Sequence, residues 1–321
     1  MKNQIKFFGL LHVQNNENKN LNFNLVDQSQ KIPVYLKNAI LLDKQLKYYG
    51  FNLILITNRK YYLSGLLKKL KYEMILKSIK FDTFVPKKTH FYSCHFRVDV
   101  FKYFAKQKKT YSVLLDLDIL ILNNPKKFLK FSKNNIALVN DISQNVIPAY
   151  GSIRILKNLK ILNPEINKIK WIGGDFFAGN NTFFKYLYKR TNLYQKKFVK
   201  NIKKLSDQTD ELFMSASIYD IKKNNFIKLK YANKIGLFNR YWNANVRHHQ
   251  KKIDFYKKFV FLHIPADKIF LSRCYDKLKN KQNFKEEYFH YTKNFRNIIR
   301  LKISRLLPNK FKEKLKYFIY K

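Results

Sequence analysis

Acidic residues are scarce in this chain: 21 Asp and Glu stand against 65 Lys and Arg in 321 residues, a formal net charge of +44. Cysteine is almost missing. Cys94 and Cys274 alone exclude a disulfide framework and a Cys-rich zinc module. Eight glycines exclude a collagen-like or Gly-rich repeat, and 46% hydrophobic with 17% aromatic residues exclude a disordered chain. No run of 18 apolar residues occurs, so no transmembrane helix is expected. Lys6 interrupts the apolar stretch Ile5–Val13 and no small-x-small cleavage site follows, so no signal peptide is expected. These absences leave a large, basic globular protein of a reducing, cytoplasmic compartment.

The chain is rich in Lys, Asn, Ile and Phe, as an A+T-rich genome would make it. That bias explains part of the charge and none of the acid scarcity. A balance this basic favours anionic partners: nucleic acid, an acidic membrane or phosphorylated substrates. It also makes every cluster of carboxylates informative.

Apolar patterning alternates along the first 125 residues. Strands are expected at Ile5–Val13, Leu53–Thr57, Phe81–Val85 and Tyr111–Leu122, with helices at Val34–Tyr49, Leu63–Lys77 and Phe91–Phe104. Beyond them the pattern is less regular: strands at Ile136–Val139, Trp171–Gly179 and Phe259–His263, and a helix at Asp210–Tyr219. The expected class is α/β, a Rossmann-like, mainly parallel sheet flanked by helices, whose ligands bind beyond the carboxyl ends of the strands.

Asp116-Leu117-Asp118 carries the chemistry. Two carboxylates in the apolar run YSVLLDLDILIL need partners, because a buried charge is costly when unpaired. Alternation puts both on one face of an ideal strand. Two convergent oxygen ligands suit Mn²⁺ or Mg²⁺, shared with substrate phosphates. The plain alternative is an acidic pair at a strand end, neutralised by lysines. A DxDGT phosphatase is disfavoured because Ile119-Leu120 follows the pair, and a polymerase-type nucleotidyltransferase because no Gly-Ser turn precedes it. Both rank below a sugar-nucleotide reading, in which the metal bridges the two phosphates of a nucleoside-diphosphate sugar. His263, ending FVFLH, could add an imidazole nitrogen, and Lys268 could contact the diphosphate. A core histidine and a solvated lysine are the plain readings of those two.

With Phe96-Arg97 some twenty residues ahead of VLLDLDILIL, the chain resembles the GT-A glycosyltransferases, and most nearly glycosyltransferase family 8, the glycogenin and lipooligosaccharide galactosyltransferase type. Gly173-Gly174-Asp175-Phe176-Phe177-Ala178-Gly179 is similar to that family's F-N-[SA]-G turn, with some likeness to family 6. Ser206-Asp207-Gln208-Thr209-Asp210 resembles its DQD segment, and the run from His263 to Lys268 its late H-x-x-G-x-x-K-P-W element. No Asn precedes Ala178-Gly179, the His-to-Lys spacing is one residue shorter, and Lys268-Ile269-Phe270 replaces K-P-W. The resemblance implies a GT-A catalytic domain over residues 1–285, with a nucleotide-binding half at 1–125 and an acceptor-side half at 126–285. It implies a metal-dependent hexosyltransferase using a nucleoside-diphosphate sugar, a UDP-sugar, with retention, in bacterial lipopolysaccharide or capsule synthesis. The donor and its cofactor would be held by Arg97, Asp116, Leu117, Asp118 and Lys268, the metal by Asp116, Asp118 and His263, and catalysis assisted by Asp175, Asp207 and Gln208.

Residues 286–321 read as basic amphipathic helices: from Lys293 onward ten cations meet Glu313 alone, beside a stripe of Phe, Ile and Leu. Such a segment suits the anionic inner face of the cytoplasmic membrane and a glycan or glycolipid acceptor. Packing on the catalytic domain is the alternative. The rival for the whole chain is a basic nucleic-acid-binding protein with a structural acidic pair. Its lysines are spread throughout and no RNA or DNA signature occurs, so no nucleic-acid partner is expected.

Overall fold

The computed structural model describes residues 4–14, 28–87, 89, 91–225, 227–244, 247–275, 281–295, 297–299 and 301. In chain order it runs β1 (Gln4–Leu11), α1 (Gln28–Tyr48), β2 (Leu53–Thr57), α2 (Lys60–Lys69), β3 (Ile75–Ser78), α3 (Arg97–Phe104), β4 (Thr110–Leu115) and β5 (Ile119–Ile121). Then follow α4 (Leu129–Lys133), β6 (Ala137–Asp141), α5 (Ser143–Tyr150), α6 (Ser152–Leu162), β7 (Ile172–Asn180), α7 (Asn181–Asn201) and α8 (Asp210–Lys223). The chain closes with β8 (Leu229–Tyr231), β9 (Phe238–Arg240), β10 (Phe261–His263), α9 (Lys268–Cys274) and α10 (Lys281–Lys293).

Seven strands form one sheet in the order β3-β2-β1-β4-β7-β6-β8, parallel except for β7, which runs against both β4 and β6. Helices cover both faces, an architecture consistent with a GT-A, Rossmann-like fold. Side-chain parity sorts the core into two layers. Phe7, Leu53, Leu55, Val113, Leu115 and Phe176 pack with α1, while Phe8, Ile56, Leu114, Val139 and Phe177 pack with α3, α7 and α8. Burial on both faces explains why these strands read as continuous apolar runs. Each such Phe or Leu contributes about 1.5–3 kcal/mol by leaving water.

Three departures from the sequence expectation bear on the site. Tyr111–Leu122 is two strands. After Leu115 the chain leaves the large sheet and enters a small one, ordered β5-β10-β9. The backbone ladder is handed across at the acidic pair: Asp116 N–H donates to the Asp175 carbonyl at 3.0 Å, and the Asp118 carbonyl accepts from Ile264 N–H at 3.0 Å. The third strand is Ile75–Ser78, not Phe81–Val85, because α2 stops at Lys69, where Lys71 turns to φ 50° and Tyr72 N–H bonds the Leu67 carbonyl. Residues 81–85 instead form a loop tied to α3, where the Asp99 carboxylate accepts from Asp82 and Thr83 N–H.

The domain boundary expected at 285/286 falls inside α10. Tyr288 and Phe289 are buried with Leu120, Leu262 and Leu271, and Tyr288 Oη donates to Asp267 Oδ2 at 2.9 Å. The halves at 1–125 and 126–285 share one sheet across the β4–β7 pairing. Residues 302–321, the greater part of the expected membrane tail, lie outside the described residues.

Candidate active site

Eight elements end on one spot beyond β4. Asp116 and Asp118 come from the β4–β5 link, His263 from the end of β10, and Asp175 from β7. Arg97 opens α3, Asp210 and Glu211 open α8, Arg240 ends β9, and Lys268 opens α9. Five carboxylates (Asp116, Asp118, Asp175, Asp210, Glu211) therefore meet three permanent cations.

Candidate ligand atoms of Asp116, Asp118 and His263 all lie within 4.8 Å of one another. His263 Nδ1 is 2.8 Å from Asp175 Oδ2, so that nitrogen carries the proton and donates it. The other nitrogen, Nε2, faces Asp118 Oδ2 at 3.2 Å and Asp116 Oδ2 at 3.7 Å. Buried Nε2 and Asp118 Oδ2 make no well-directed hydrogen bond, although Lys268 Nζ lies 2.5 Å from that oxygen as an ion pair. A carboxylate behind a histidine whose second nitrogen faces two more carboxylates is how proteins orient a metal-binding imidazole, a bound cation taking the place of the proton on that nitrogen. The donor set, two oxygens and one nitrogen, together with the surplus of carboxylates, fits a divalent cation. Asp118 is almost closed off, at 3% side-chain exposure, whereas Asp116 is 28% exposed and forms the open side.

Two arginines hold this cluster. Arg97 donates to Asp210 Oδ2 at 2.5 Å and, through its other Nη, to Asp116 Oδ1. Arg240 donates to Asp175 Oδ2 at 2.6 Å and to Glu211 Oε1 at 2.7 Å. Glu211 also accepts from Trp171 Nε1 at 2.8 Å and Gly174 N–H at 3.2 Å. The two glycines before Asp175 are required by close approach. A Cβ on Gly173 would lie 2.4 Å from Asp175 Oδ1, and one on Gly174 would lie 2.7 Å from Arg97 and 2.8 Å from Asp210.

The electrostatics follow from burial set against neighbours. Burial alone would raise the Asp118 carboxyl, but Lys268 and His263 hold it well below the usual range. Burial would likewise raise Asp175, and Arg240 with His263 outweighs it. For Asp116, burial and the charges of Asp118 and Asp175 prevail over Arg97 and His263, and its carboxyl is raised. Burial would lower the His263 imidazole, yet Asp118 and Asp175 push it up to about 9.

Not every residue expected from sequence meets at this centre. Asp175 reaches it from behind: its side chain is closed to solvent and its oxygens are taken by Arg240, His263 and Asn140. It therefore reaches the cluster through His263 and Arg240 and not from the open side. Leu117 is a core side chain packed over Gly9. Asp207 and Gln208 stand at the rim. Asp207 does not cap α8, whose N-cap is Thr209. It folds an Asx turn onto Thr209 N–H at 2.8 Å, and burial raises its carboxyl. Gln208 donates to the Ile202 carbonyl at 3.4 Å. Lys268 is buried, not a solvated cation.

Sequence reasoning missed Arg240, Glu211 and the role of Asp210. Arg240 carries no local signal among 65 basic residues. The Asp210-Glu211 pair does, because acids are scarce. It also missed the mouth of β1. There His12 stacks on Phe96 at 4.0 Å, Asn58 brackets the Val13 backbone, and buried His12 Nδ1 and Gln14 Nε2 have no hydrogen-bond partner among the described residues.

No family model matches the chain, and no curated protein matches it. Among solved structures, mouse xyloside xylosyltransferase 1 in its apo form is similar over 81% of this chain and 97% of that chain, with TM-score 0.47 and 9% identity.

Proposed function

We propose that the chain is a metal-dependent glycosyltransferase that moves a hexose from a nucleoside-diphosphate sugar, a UDP-sugar, to a glycan or lipid-linked acceptor. The observation that supports this reading best is the Asp175–His263 pair standing behind Asp116 and Asp118. A structural acidic pair needs only neutralising cations. This one adds an imidazole anchored by Asp175, with its second nitrogen turned toward the carboxylates where a bound cation would replace its proton.

Asp116, Asp118 and His263 would hold Mn²⁺ or Mg²⁺, which when bound neutralises the diphosphate as it leaves. Arg97 fixes the open carboxylate Asp116 against α8. Lys268 places a positive charge beside Asp118, where a diphosphate oxygen is stabilised. Arg240 and Asn140 keep Asp175 ionised and in line with His263, which sets the proton on Nδ1. The nucleoside is assigned to the β1 mouth, where the His12–Phe96 stack and the partnerless donor of Gln14 await a planar ring with acceptors. Asp207 and Gln208, at the rim, are assigned to acceptor hydroxyls. Retention is carried by the family resemblance alone.

Among the described residues no helix is long and apolar enough to cross a membrane. Docking of the basic C-terminal segment on an anionic leaflet therefore rests on its sequence. Calorimetric titration with UDP, with and without Mn²⁺, tests the central reading: binding is expected only with the metal. Salt-sensitive oligonucleotide binding with no metal-dependent UDP binding would establish the nucleic-acid rival instead. A donor screen read by nucleotide release then identifies the sugar.

A further inference from the structure

On the rim side of the charged cluster lies a cleft of about 550 Å³ whose walls include Arg154, Lys157, Asn158, Lys204 and Ser206. No carboxylate lines it. Its floor is rigid: Arg154 Nε and Asn158 Nδ2 each donate to Ser206 Oγ at 2.8 Å, and Arg154 Nη2 donates to the Ser206 carbonyl at 2.8 Å. Lys157 and Lys204 are exposed, and neither joins an ion pair among the described residues. Here three cations converge on a concave surface.

Two links tie the cleft to the proposed acceptor side. Ser206 immediately precedes Asp207. Tyr150 immediately precedes the cleft residue Gly151, and its hydroxyl feels the charges of Glu211, Asp207, Arg240 and Arg154. Tyr150 also stands edge-on to Trp171 at 6.5 Å and to His248 at 5.9 Å, and His248 lies 4.1 Å from Trp242. Trp171 is buried beneath this group, and the half-exposed Tyr150, with Trp242 and His248, is the part that could meet a sugar.

We propose, resting on the glycosyltransferase reading, that this cleft binds an anionic substituent of the acceptor, a phosphoryl ester or a uronate carboxylate, and so selects acidic acceptors. Lys157 and Lys204 supply charge-assisted hydrogen bonds to the anion, and the fixed Arg154 supplies a third positive group. A neutral acceptor fills the aromatic part and leaves the cations solvated.

Saturation-transfer NMR with glucose 6-phosphate, glucuronate and glucose tests this, on protein held with excess UDP and diamagnetic Mg²⁺. The anionic sugars should bind about tenfold tighter than glucose, as expected for one or two charge-assisted contacts. Lys157→Gln/Lys204→Gln should abolish that preference and leave UDP binding unchanged. A larger gain for glucose 6-phosphate assigns the phosphoryl group, and a larger gain for glucuronate the carboxylate. Equal binding of all three sugars, or a preference that survives the double substitution, overturns the proposal. UDP titration of both proteins reports on the donor reading separately, since its failure leaves the sugar comparison readable.

Discussion

His12 and His263 stand near the ends of two strands of one molecule, both largely withdrawn from water, and their surroundings push them opposite ways. Around His12 burial dominates, Arg59 adds to it, and the imidazole falls to about 4. Around His263 burial acts in the same direction, but Asp118 and Asp175 overcome it and raise the ring to about 9. Burial alone therefore says nothing of a histidine's charge; the carboxylates within reach decide it. The end of β1 sets His12 against Phe96, with the Arg59 charge near it and no carboxylate among the causes of its shift. The β4–β10 junction concentrates negative charge inside a protein of net charge +44.

The largest effect should come from the junction. Asp118→Asn is expected to abolish metal-dependent UDP binding and transfer while the fold persists. Asp118→Ala should in addition destabilise the protein by about 3–5 kcal/mol, because it strands buried Lys268 without its partner. Metal-dependent UDP binding by Asp118→Asn as tight as by the wild type would show that the cluster is structural.

Asp175→Asn should weaken Mn²⁺ affinity about 10–100-fold, the usual consequence of losing the group behind a metal-binding histidine. Asp207→Asn, on the rim, should lower turnover and leave metal affinity alone. Metal titration followed by steady-state kinetics separates the two, and identical behaviour would erase the distinction between positioning and acceptor-side residues.

Gly174→Ala sharpens the comparison through packing. Its methyl group would press on both Arg97 and Asp210, with an expected loss of about 1–3 kcal/mol in chemical denaturation. An unchanged midpoint would mean that the arginine clamp is looser than its distances indicate.

The smallest effect belongs to the neutral histidines. His12 and His248 are both lowered to about 4, so their neutral folded state is fully favourable above the unfolded value of 6.5. As pH falls from 6.5 toward 4 the unfolded chain takes up protons that the folded one refuses, and stability should fall gradually over that window, damped by the partial exposure of both rings. His12→Phe should flatten part of that slope in denaturation series between pH 7 and 4. An unaltered slope would place the acid sensitivity elsewhere.

The alternating strands and helices of the first 125 residues were legible because both faces of those strands are buried and read as unbroken apolar runs. The helix α7 was legible too, although sequence reading passed over it. Phe183, Phe184, Leu187, Thr191, Tyr194 and Phe198 recur at helical spacing behind the Asn180 cap, which accepts from Phe183 N–H at 3.0 Å. The strand at Ile75–Ser78 was less so. It is a short edge strand with mostly exposed side chains, and such strands carry little pattern.

What the sequence determined by itself was the α/β class, the β1, β2 and β4 strands, and the weight of Asp116 and Asp118, because two carboxylates in an apolar run demand partners whatever the fold. Only the tertiary structure decided who those partners are. Arg97, Asp175, Arg240 and His263 are separated by tens of residues, and no local spacing relates them. It also decided that the acidic pair sits at the break between two sheets, since that break exists only where β7 ends its pairing with β4 and β10 begins its pairing with β5. Long-range hydrogen-bond ladders and charge pairs are properties of packed elements, and a one-dimensional pattern records only the residues that take part.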